Sequence, residues 1–297
     1  MSKTSNGINQ RQNEENSILM LAAQRQIYKE AKIINRVIAV CSVIIPFILS
    51  IISLVVSDTN FSLVSKLISI TSWVVALLLG MRIKETQGLA ALIQQQFDIY
   101  VFSFNWDNKL FRKNKNVNYI ITQKAERLLR KRTIQDEKLQ DWYRKEVDEL
   151  PLKKAIKLCQ EENVNWDSEL RSFYSKITFT IVIVLFVIII SIGIYQKDSL
   201  LVVLSFGIPI FQWEIKVLTS ISADVGRLNK LSESINGTKI YELDELLEIQ
   251  RDIYEHRKNC YLIDDKIQEF LRDRLEKKNK DRVNYEIRNN KNNTSIN

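Results

Sequence analysis

The sequence predicts an all-α membrane protein: two transmembrane helical hairpins, a helical cytoplasmic domain between them and a helical C-terminal tail. Ile177–Tyr195 is an apolar run without a charged residue; as a helix it reaches about 28 Å, close to a bilayer's hydrocarbon thickness. A second run, Leu200–Leu218, follows at once, and a similar pair, Val37–Ser57 and Ser62–Met81, lies upstream. Only 7 Gly and 3 Pro occur in 297 residues, so little in the chain interrupts a helix.

In order, residues 1–36 form an N-terminal cytoplasmic segment and 37–81 the first hairpin. Residues 82–176 form the cytoplasmic domain, 177–218 the second hairpin and 219–297 the tail. Met1–Asn16 is polar and expected to be disordered. Ser17 can cap a helix from Ile18 into the first span, with Met20, Ile27 and Ile34 on one face. Lys66 lies near the outer end of the second span, where it can snorkel. That helix continues to Val101; a second cytoplasmic helix is expected over Tyr119–Leu139, and Trp142–Leu150 is irregular. Pro151 starts a further helix, and Asn165 or Asp167 can cap the one entering the third span. Asn236–Gly237 stops the helix that leaves the fourth span. Apolar positions from Ile240 to Leu275 then predict one long amphipathic helix, and Lys277–Asn297 is expected to be disordered.

Arg25, Lys29, Lys32 and Arg36 precede the first span, Arg82 and Lys84 follow the second, and Arg171 and Lys176 precede the third. The turns at Asp58–Phe61 and Gln196–Ser199 carry Lys197 as their one positive residue. Positive residues stay inside, so both termini, the central domain and the tail are expected on the cytoplasmic side. Little is left outside to receive an external ligand.

The net charge of +8 sits in a chain that is 26% charged, which fits a large polar part facing water and anionic lipid. Acidic residues partly balance the basic ones, which argues against duplex nucleic acid as a partner. Cys41, Cys159 and Cys260 form no close pair, and the single histidine, His256, reads as a surface-helix residue. With no phosphate loop, nucleophile elbow or metal-ligand spacing, neither an enzyme nor a cofactor is expected.

Two groups of residues are candidates for function. Ser42, Ser50, Ser53 and Ser57 with Pro46, and Ser62, Ser65, Ser69, Ser72, Ala76 and Gly80, form small-residue stripes on the first two spans. Such stripes pack helices closely or, where several subunits meet, face water. Gln212, Glu214 and Lys216 then lie at the cytoplasmic mouth of a pore, or Glu214 and Lys216 snorkel to the interface. The second group is aromatic and basic: Trp106, then Trp142, Tyr143, Arg144 and Lys145, then Trp166 and Arg171. Aromatic faces stack on bases and Arg or Lys pairs phosphate, so these form a nucleotide pocket if they converge and a helical core if they do not.

Three segments carry a resemblance: QRQIYKEAKIIN before the first span, QQQFDIYVFSFNWDNKLF after the second, and WYRKEVDELPLKKAIKLCQEENVNWDSELRSFY before the third. Their order around two hairpins resembles the S-4TM family, SMODS-associating four-transmembrane pore-forming effectors. The resemblance runs from Gln24 to Val217. It implies a CBASS-type anti-phage system, in which a cyclic oligonucleotide second messenger activates a membrane effector that homo-oligomerises, disrupts the inner membrane and aborts infection. A different reading of the residues is a membrane scaffold or transport accessory subunit whose cytoplasmic helices dock a protein partner.

Overall fold

The computed structural model describes residues 5–55, 59–105, 116–135, 138–196, 200–237 and 242–294. Every regular element among them is helical. Helix α1 spans Ile8–Gln12 and α2 spans Glu15–Ala39; a π-helical turn at Val40–Ile44 leads into α3, Ile45–Val55. Pro46 accounts for the π turn, because its ring lacks an N–H and crowds the carbonyl one turn back. Helix α4 runs unbroken over Thr59–Val101, α5 over Val117–Leu129, α6 over Leu152–Gln196 and α7 over Leu200–Gly237. A 3₁₀ turn, Lys145–Glu149, precedes α6; α8, Leu243–Asn259, and α9, Asp265–Thr294, complete the order.

Glu15–Leu49, Leu63–Val101 and Leu152–Ile188 are long and apolar enough to cross a membrane. Leu63, Ile70, Leu78, Phe179 and Val187 stand exposed on them, an apolar belt that only lipid or other protein covers well. The protein is therefore a membrane protein. Much of Leu200–Leu218, the fourth apolar run, carries side chains (200–210) that lie outside the described residues. Helix α4 packs along α2 and α3, and α6 along α7.

Below the belt, α1, α2 and α4 to α9 enclose one core that includes Leu21, Ile27, Phe97, Phe102, Tyr143, Ile156, Leu228, Leu246 and Val283. Within the N-terminal segment expected to be disordered, the described residues from 5 on join it: Ile8 is fully buried. Their amide side chains supply the hydrogen bonds that an irregular segment lacks for itself. Asn6 Nδ2 donates to the carbonyls of Val147 and Leu150, both at 2.9 Å. Gln12 Nε2 donates to the Tyr143 carbonyl at 2.8 Å, and its Oε1 accepts from the Tyr143 N–H at 2.7 Å. Gly7, at φ 81°, makes the left-handed turn into α1.

Five further expectations differ from the structure. The helix expected over Tyr119–Leu139 spans Val117–Leu129 and ends ten residues early. The second helix begins at Glu15 after Glu14, while Ser17 Oγ donates back to the Arg11 carbonyl at 2.6 Å. Asn165 and Asp167 cap nothing, because α6 already runs from Leu152. The long C-terminal helix is broken over Cys260–Asp264: Asp224 Oδ2 accepts the Tyr261 N–H at 2.8 Å, and Gln87 Nε2 donates to the carbonyls of Arg257 and Cys260 at 3.0 and 2.7 Å. These tertiary bonds replace the ladder that would have carried the helix on. Beyond the break α9 continues to Thr294, with Val283 and Ile287 buried.

Candidate functional site

Two polar assemblies stand out in the part outside the apolar belt, and the sequence-derived candidates divide between them. The first is buried. Asp98 lies on the apolar face of α4 between Phe97 and Ile99 and is 0% exposed. Its Oδ1 accepts from the Tyr143 hydroxyl at 2.6 Å; its Oδ2 accepts from Gln250 Nε2 at 2.8 Å and from Arg257 Nη1 at 2.5 Å. Asn163 Nδ2 in turn donates to the Tyr143 hydroxyl at 2.9 Å. Burial first, and the neighbouring Asp98 carboxylate second, push the Tyr143 phenol well above its ordinary range, so it stays a donor. Burial works against the Arg257 charge, but Asp98 outweighs it and the guanidinium is held more firmly protonated than usual.

The network continues toward the membrane through the next residue of α8. His256, 4% exposed rather than on the surface, bonds Asp167 through Nε2 at 2.7 Å. Asp167 Oδ2 also accepts from Arg171 Nε at 3.0 Å, and Arg171 Nη1 donates to Asp224 Oδ2 at 2.6 Å and to the Tyr261 carbonyl at 2.9 Å. Arg227 closes the chain on the other oxygen of Asp224. Burial alone would raise the Asp167 pKa; Arg171, with the hydrogen bond from His256, holds it well below the usual carboxylate range. Arg171 loses solvation on burial, yet Asp167 more than compensates and its pKa rises. This line of side chains therefore joins α4, α6, α7 and α8, and three of those four run on into apolar segments.

Tyr143 and Arg171 thus have their polar atoms taken by protein groups. The Tyr143 ring is also packed between Phe97, at 6.3 Å, and Phe102, at 5.3 Å, which leaves no face for a base. Trp142 is half-buried, edge-on to Phe97 at 6.4 Å with the Arg25 guanidinium 5.8 Å from its ring centroid. Trp166 packs with Leu170, Ile263, Leu271 and Leu275 in a second, smaller apolar cluster. Trp106 lies outside the described residues. The thiols are inert by environment: burial pushes Cys159 well above its ordinary value and Cys260 up to about 11.

The second assembly is at the surface, where α9 crosses the 3₁₀ turn and α6. Arg144 Nη2 donates to the Glu276 carbonyl at 2.6 Å, while its Nε is buried without a partner. Lys145 is exposed. Lys138 lies 3.8 Å from Glu276 and Lys154 3.5 Å from Glu286; in the opposite sense Arg282 pairs Glu161 at 2.6 Å and Lys278 pairs Glu169. At its start, α9 is tied to the root of the first apolar run by Arg36 to Asp264, at 2.6 Å, and by Lys32 to Asp265.

Of the small-residue stripe on α4, Ser65 and Ala76 are buried and Ser69, half-buried, donates its hydroxyl to the Ser65 carbonyl at 2.9 Å. The side chains of Ser50 and Ser53 lie outside the described residues. On α7, Gln212 is exposed and Glu214 half-buried, next to Trp213, whose ring centroid is 6.0 Å from the Lys216 ammonium.

The buried network was missed from sequence, although a signal was present. Asp224 falls on the stripe Ile221, Leu228, Leu231, Ile235, and His256 and Arg257 extend the stripe Leu246, Ile249, Ile253. A charge on a buried helical face needs a partner on another element.

Residues 6–289 match the model of the SMODS-associating 4TM effector domain. A protein of Bacillus cereus (strain VD146) named "probable CBASS effector molecule" is 25% identical over 237 residues, covering 76% of this chain and 77% of its own length. No solved structure matches the chain significantly.

Proposed function

Since the chain belongs to the SMODS-associating 4TM effector family and is thus a CBASS-associated effector, we propose that a cyclic oligonucleotide activates it to disrupt the bacterial inner membrane. In this reading it spans the membrane four times as two hairpins, with both termini and the polar domain in the cytoplasm. It makes its lesion as a homo-oligomer, since four spans of one chain enclose little room for a conducting path. It acts by binding and rearrangement, without catalysis. The observation that carries the reading is the buried line from Asp98 to Arg227, which ties cytoplasmic packing to helices continuing into the apolar belt. A ligand with different affinities for two packings of the cytoplasmic domain would shift the spans between two arrangements. Arg144 and the exposed Lys145, consecutive residues at the start of the 3₁₀ turn, support the ligand assignment through their chemistry: cations for phosphate.

A membrane-potential dye tests the reading in cells that express the protein with its cyclic-nucleotide synthase. Depolarisation is expected within minutes of synthase activation, and none with a synthase lacking its catalytic carboxylates. A polarised membrane in cells holding inserted protein and demonstrable cyclic oligonucleotide would turn the assignment toward a scaffold. Orientation has its own check. In a cysteine-free background, Asn60→Cys is expected to react with an impermeant thiol reagent in intact spheroplasts. Arg130→Cys, on the exposed end of α5, is expected to react only after lysis. Labelling of Arg130→Cys in sealed spheroplasts would overturn the cytoplasmic placement.

A further inference from the structure

We propose that Lys138, Arg144 and Lys154 form a polyanion-binding site, and that α9 occupies it in the resting state with its own carboxylates. This rests on the ligand class proposed above and names the surface and its regulation. The basic groups come from the loop before the 3₁₀ turn and from the first turns of α6. Glu276 and Glu286 of α9 answer Lys138 and Lys154, at 3.8 and 3.5 Å, where an incoming anion would put its phosphates. Arg144 offers a buried Nε with no acceptor, and its Nη2 is spent on a neutral carbonyl, that of Glu276. A phosphate oxygen is the stronger acceptor for that fork.

The strap is built to come off. Its buried apolar residues are few, chiefly Leu271, Leu275, Val283 and Ile287 along thirty residues. Most of the rest of its hold is ion pairs with an exposed member, weak and screened by salt; the pair of Arg282 with the buried Glu161 is the firmest of them. The two carboxylates stand ten residues apart, about 15 Å along the helix. A polyvalent anion therefore competes at either end more effectively than a monovalent ion does. The source of the anion follows from position. Lys154 precedes Ile177 by 23 residues of continuous helix, about 35 Å, so a lipid headgroup at the membrane surface is out of reach. Release of α9 also frees Asp264 and Asp265 from Arg36 and Lys32, at the root of the first apolar run.

Amide hydrogen exchange on the full chain in phosphatidylcholine nanodiscs tests this without any assay of membrane damage. Inorganic tripolyphosphate is expected to speed exchange in residues 265–290 at least fivefold over potassium chloride of equal ionic strength, with α4 and α8 unchanged. In Lys138→Ala/Lys154→Ala, whose sites are surface-accessible, the advantage of tripolyphosphate is expected to vanish. Replacing phosphatidylcholine by phosphatidylglycerol is expected to leave α9 protected. Equal effects of the two salts, no effect of either, or release by phosphatidylglycerol alone would each overturn the proposal. Failure to depolarise cells, by contrast, removes the pore reading and leaves this exchange result untouched.

Discussion

Replacing Asp98 with alanine is expected to cost the folded protein about 3–5 kcal/mol, the usual penalty for stranding one member of a buried ion pair. Arg257 loses its carboxylate, and the Tyr143 hydroxyl and Gln250 amide lose their acceptor, in a region closed to water. Thermal unfolding in detergent, followed by circular dichroism, reads the loss. Asp98→Asn keeps the shape and one acceptor and is expected to fall between. The pair Asp98→Leu/Arg257→Met removes both charges together and is expected to recover most of the stability. A loss below about 1 kcal/mol in Asp98→Ala would mean that Arg257 reaches water or another anion, and the buried line would be broken at its first link.

Leucine at Ser50, Ser53 and Ser69 together is expected to abolish depolarisation on activation while the protein still inserts and still binds ligand. The substitution keeps the segments apolar and helical and adds bulk on faces that approach other helices. Ser69 already has its hydroxyl satisfied by the Ser65 carbonyl, so no hydrogen bond to another element is lost with it. The dye assay with the active synthase checks the result. Undiminished depolarisation in the triple variant would move the conducting path to other faces, and Gln212 and Glu214 would be the next residues to change.

The helical class and the apolar runs could be read directly, because a bilayer demands a long segment with no unpaired polar group and composition alone reveals it. The interior of the part outside the apolar belt was legible only in outline. Phe97, Leu128, Ile156 and Leu246 follow helical spacing and lie in the core as spacing requires. Gln12 and Asn6 do not, because a side-chain amide that completes another segment's backbone has no periodicity to betray it. The gap between Leu275 and Val283, filled by Glu, Lys, Asn, Asp and Arg, hid the continuing stripe of α9. The break at Cys260–Asp264 contains neither Gly nor Pro; it is imposed by Asp224 and Gln87, far away in sequence. The aromatic and basic candidates illustrate the same limit. Tyr143 and Arg171 are rich in chemistry as residue types, and the fold uses that chemistry internally.

Helix α4 has a mechanical consequence. From Asp98 to Thr59 it is one uninterrupted rod of about 58 Å. A tilt of about 5° pivoting at Asp98 sweeps the far end through about 5 Å, more than half the separation of two packed helices. The gain lies in length alone and needs no bending of the rod. A rotation of a few degrees about the end anchored by the Asp98 carboxylate thus becomes, at the other end, a motion of several ångströms.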